Sequence, residues 1–113
     1  MDAIQSKQNK DVKILTISGR IAQEDSIALE EALDKALQKG DIKIVLDLTR
    51  VKHICSTALG VIVSVKRKLK RQNGDIKLAV KDGEVKNLLQ LTMLDRVFEL
   101  FENQESAVQA SEN

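Results

Sequence analysis

The chain has 113 residues, 42% of them hydrophobic and 31% charged, enough for one modest core and too apolar for a disordered tail. Eighteen Lys and Arg against seventeen Asp and Glu leave a formal net charge of +1, so no global field selects nucleic acid or an anionic membrane as partner. One cysteine forms no internal disulfide, one histidine removes multi-histidine metal and acid–base schemes, and Phe98 and Phe101 alone offer no stacking platform for single-stranded nucleic acid.

The opening "MDAIQSKQNKDV" is too polar for a signal peptide, and no apolar run approaches membrane-spanning length. A cytoplasmic protein without membrane insertion is the expectation. "DVKILTISGR" has partly alternating β-branched character and is expected to be a strand that stops at Gly19, with a further strand possible near Ile4. In "EDSIALEEALDKALQKG", Ala28, Leu29, Ala32, Leu33, Ala36 and Leu37 recur at helical spacing. Asp25 or Ser26 is placed to cap that helix, and Gly40 to end it. "IKIVLDL", from Ile42 to Leu48, is nearly continuously apolar and reads as a central strand covered on both faces.

A loop is expected next, then a helix from about Ser56 to Gln72, ended by Asn73-Gly74. Its buried stripe is Ala58, Val61, Ile62, Val65 and Leu69, and Leu59 and Val63 are expected beside it on an exposed apolar surface. "IKLAV" is another short strand and "EVKNLLQLT" a helix. "VFELF" is a last strand, and "NQESAVQA" a terminal helix that frays. Alternating strands and helices argue for one α/β domain with an open, parallel or mixed sheet.

The chemistry-bearing residues crowd into "HICST", His53 to Thr57, where a central strand meets a helix start. A phosphatase-type Cys55 wants an arginine six residues on, and Val61 stands there. A Cys55–His53 relay needs a third orienting group, and neighbours in sequence rarely reach that geometry. A redox-sensing Cys55 has only the helix start in its favour. Ser56 or Thr57 is expected to cap the helix. A phosphate on either hydroxyl would lie at the positive end of the helix dipole, tolerated by the fold but repelling a partner packed over it. The run "KRKLKR", Lys66 to Arg71, complements the negative helix end, and docking of an acidic partner is its alternative use.

"VLDLTRVKHICSTALGVIV" resembles the signature of bacterial STAS domains of the anti-sigma factor antagonists, "V-L-D-L-S-x-V-x-x-[ML]-D-S-[ST]-G-L-G". "ILTISGRIAQEDSIALEEAL" and "GDIKLAVKDGEVKNLLQLTMLDRVFELFENQESAV" resemble the flanking parts in the same order, over essentially the whole chain. The resemblance implies a single STAS domain over residues 1–113, with a core of about 10–110. It also implies a four- or five-stranded mixed sheet with helices packed mainly on one face.

It further implies a partner-switching protein with no cofactor and no catalysis of its own. Such a protein binds an anti-sigma factor that is also a serine kinase and is restored by a PP2C-type phosphatase. The family serine aligns with Ser56, with Thr57 as second candidate. The implied partner surface is His53, Cys55, Ser56, Thr57, Leu59, Gly60, Val63 and Arg67, with Asp47 in a supporting role. Cys55 stands where the family has an acidic residue, and Ala58 where it has glycine. The alternative is an unphosphorylated STAS adaptor in a stress-sensing or lipid-transport assembly.

Overall fold

The computed structural model describes residues 1–112. Its strands are β1 (Gln5–Asn9), β2 (Val12–Ile21), β3 (Lys43–Ile54), β4 (Asp75–Ala79) and β5 (Leu100–Phe101). Its helices are α1 (Ser26–Gln38), α2 (Ser56–Lys70), α3 (Glu84–Leu91) and α4 (Gln104–Glu112), with short 3-10 turns at Gln23–Asp25 and Leu94–Arg96. The five strands lie side by side in chain order. β1 pairs antiparallel with β2, and every later pair is parallel, so the sheet is mixed as expected.

Alternation along the strands divides the interior in two. Leu15, Ile17, Ile44, Leu46, Leu48, Ile76 and Leu78 point to the face covered by α1, α2 and α3, and they meet Leu29, Leu33, Ile62, Val65, Leu69 and Leu89 there. Val12, Ile14 and Val45 point the other way, into a smaller cluster with Ala107 and Val108 of α4. Three helices therefore cover one face and one short helix the other. That two-sided cover is why "IKIVLDL" is apolar without alternation.

Two strand ends differ from the sequence reading. β2 does not stop at Gly19 but runs on to Ile21, with register shifts between Thr16 and Ser18 and between Gly19 and Arg20. Gly19 has φ 88°, a left-handed conformation that glycine tolerates, so it bends the strand and does not end it. β3 likewise runs to Ile54, through residues expected to form a loop. The shifts carry Val51 and Ile54 into the core. α2 ends where expected: Asn73 takes φ 61°, and a side chain on Gly74 would collide with the Ile42 backbone.

Candidate functional site

Because β3 reaches Ile54, only Cys55 separates strand from helix. The Cys55 backbone N–H donates to the Ile21 carbonyl at 2.9 Å, which fixes the start of α2 against the end of β2. Cys55 is extended, with φ −76° and ψ 160°, and it is the N-cap residue. Its Sγ accepts from the Ala58 N–H at 3.4 Å and lies 3.3 Å from Ser26 Oγ, the first residue of α1. The cap is therefore the Cys55 thiol, not Ser56 or Thr57. The first-turn donor goes to the residue one position earlier, at the place of the family's acidic residue.

Thr57 is used differently. Its Oγ1 donates to Gln23 Oε1 at 2.9 Å, tying the start of α2 to the turn that precedes α1. Ser56 is exposed, and its hydroxyl makes no hydrogen bond among the described residues. His53 Nδ1 lies 2.6 Å from Glu84 Oε2 at the start of α3, with His53 half-buried and Glu84 exposed. His53 and Cys55 thus have separate partners. Among the described residues no group of three His, Cys, Asp or Glu side chains is placed to hold a metal.

Ser56, Thr57, Gly60 and Arg67 are exposed on α2 and Val63 is half-buried, so these residues share the outward side of the helix. Leu59 does not join them. It is 7% exposed and belongs to the core between sheet and helices, and Val61, expected in the buried stripe, is only half-buried. A rotation of α2 by roughly 30°, about a third of a residue step, exchanges the two.

Asp47 lies on the α4 face of the sheet, away from the start of α2. Its Oδ1 accepts from the Thr49 N–H at 2.9 Å and the Thr49 hydroxyl at 2.7 Å, and its Oδ2 accepts from Gln104 Nε2 at 2.9 Å. Asp47 thus secures the irregular part of β3 and the first residue of α4.

Gln23, Ser26 and Glu84 reach the site from 34, 29 and 31 residues away in sequence. No local motif marks them. The parallel winding β2–α1–β3–α2–β4–α3 brings them there, and that is legible only once the sheet is assembled.

An α/β sheet of this order, with the signature stretch at the junction of β3 and α2, is the arrangement expected of a STAS domain, and the sequence matches agree. The chain belongs to the STAS domain family, whose model matches residues 3–107. Several relatives within the family bear the name of anti-sigma factor antagonists. A Thermotoga maritima protein so named is 34% identical over 76 residues, 67% of each chain. BtrV of Bordetella bronchiseptica, also so named, is 26% identical over 97 residues, 86% of this chain and 84% of its own. The crystal structure of an anti-sigma factor antagonist from Mycobacterium paratuberculosis superposes with a TM-score of 0.90 over 98% of this chain and 94% of its own. At 22% identity that likeness is one of fold.

Proposed function

We propose that the protein is an anti-sigma factor antagonist that binds its anti-sigma factor through the start and outward side of α2, and that a phosphate on Ser56 turns this binding off. The observation that carries the reading is the division of labour at the start of α2. Cys55 holds the cap and Thr57 holds Gln23, so Ser56 keeps an exposed hydroxyl that is bonded to nothing among the described residues. A dianion added there sits at the positive end of α2, where it leaves the fold intact and burdens whatever packs over it with repulsion and desolvation. The partners in this reading are an anti-sigma factor with serine kinase activity and a PP2C-type phosphatase. The place of action is the cytoplasm. No described helix is long and apolar enough to cross a membrane.

The test is to incubate the protein with ATP and its cognate anti-sigma kinase, locate any phosphate by mass spectrometry, and titrate the kinase with variants. Phosphate is expected on Ser56, with binding kept by Ser56→Ala and lost by Ser56→Asp at unchanged thermal stability. Binding with no phosphate on Ser56 would leave an unswitched adaptor. Undiminished binding by Ser56→Asp would remove the switch itself.

A further inference from the structure

The basic run at the end of α2 is not one patch but two kinds of residue. Each of its three lysines lies against one of the chain's own carboxylates. Lys66 pairs with Asp75 at 2.7 Å, Lys68 with Asp34 at 3.7 Å and Lys70 with Asp75 at 3.4 Å. Its two arginines, Arg67 and Arg71, are exposed and enter no ion pair among the described residues. They stand four residues apart, and counting back by threes and fours from Arg67 passes Gly60 and reaches Ser56. Ser56, Gly60, Arg67 and Arg71 therefore form one outward stripe of α2 and its cap.

Complementing the helix dipole does not account for this sorting, because three lysines already place cations in the last turns. What sets the arginines apart is that, among the described residues, they are the cations of the run with no carboxylate beside them. The guanidinium is also the cation whose planar fork matches a carboxylate with two parallel hydrogen bonds. Helical rise puts them roughly 16 Å and 22 Å from Ser56 along the axis.

We propose that Arg67 and Arg71 form a carboxylate clamp for the anti-sigma factor, whose docking surface carries acidic side chains roughly 16–22 Å from the point that covers Ser56. The proposal rests on the binding reading given above and adds the chemistry of the partner. It also divides the stripe by task. The clamp end supplies attraction and orientation, and the Ser56 end, with the small residue Gly60 beside it, supplies the close approach that a phosphate blocks.

The test is calorimetric titration of the purified anti-sigma kinase into the unphosphorylated wild type, Arg67→Ala/Arg71→Ala and Lys68→Ala, each at low and moderate salt. The double arginine variant is expected to bind about tenfold or more weakly and to lose most of the salt dependence, while Lys68→Ala stays within about twofold. Unchanged binding by the arginine variant overturns the clamp and leaves the binding reading standing. Equal losses from the lysine and arginine variants also overturn it, since general positive potential would then suffice. No binding by the wild type refutes the underlying reading and the clamp with it. Circular dichroism and melting of each variant confirm the fold, which exposed side chains leave unaltered.

Discussion

Cys55 is the residue where sequence and structure part most instructively. A thiol is a weak acceptor, and the 3.4 Å contact with the Ala58 N–H is correspondingly long. A carboxylate in the same place would accept from that N–H and from the Ser26 hydroxyl, and it would bring negative charge to the positive end of α2. Cys55→Asp is therefore expected to stabilise the domain by about 1 kcal/mol, read as a higher urea midpoint at unchanged slope. A lower midpoint would mean that desolvating the half-buried carboxylate outweighs the better cap. The sequence reading singles out Cys55 as the departure from the pattern it resembles. It does not show that this residue is the cap, because caps are ordinarily read from Ser, Thr, Asp and Asn, and two of those follow immediately.

At the scale of elements, α2 is anchored from beneath and open above, and Leu59 decides where the boundary runs. The residue is 7% exposed and packs in the main core, whereas Val63, one turn on, is half-buried. Leu59→Ala should cost about 2–4 kcal/mol of unfolding free energy in urea and Val63→Ala less than about 1.5 kcal/mol. Equal costs would contradict this placement of α2. If the binding reading holds, Val63→Ala should weaken the anti-sigma complex without unfolding the protein, and Leu59→Ala should weaken it only to the extent that it unfolds. The legibility of the elements follows the same logic. α1 and α2 declare themselves because their apolar period matches the helix. β1 carries "QSKQN", four exposed residues and no apolar one, so its pairing with β2 is what makes it a strand. β3 beyond Leu48 loses its simple period at the register shifts, so Thr49–Ile54 reads as loop although its backbone continues the ladder.

For the molecule as a whole, the element opposite the site in charge logic is Asp75, the first residue of β4. Its carboxylate draws together Lys66 and Lys70 of α2 and Lys77 of its own strand, and Lys77 reaches on to Glu99 at 3.2 Å, just before β5. Partial burial by itself pushes the Asp75 carboxyl upward. The Lys66 hydrogen bond, the Ile76 N–H and the nearby lysine charges outweigh it and hold the group below 3.8. The sign of the linkage follows. A carboxylate depressed in the folded state adds stability that is complete above its unfolded value and lost as pH falls through the folded one. Exposed Asp11, lowered mainly by its hydrogen bond to Lys43, acts in the same direction but under solvent screening. Unfolding free energy should therefore hold steady from neutrality down to about pH 5 and then fall steeply through and below pH 4. Asp75→Asn should cost about 1–2 kcal/mol at pH 7, because three ammonium groups lose their shared counter-charge. That gap should close as the wild type is itself protonated, so urea titrations of both proteins at pH 7 and about pH 2.5 form the comparison. Curves that stay parallel across that range would show that Asp75 is not the group that joins α2 to the far side of the sheet.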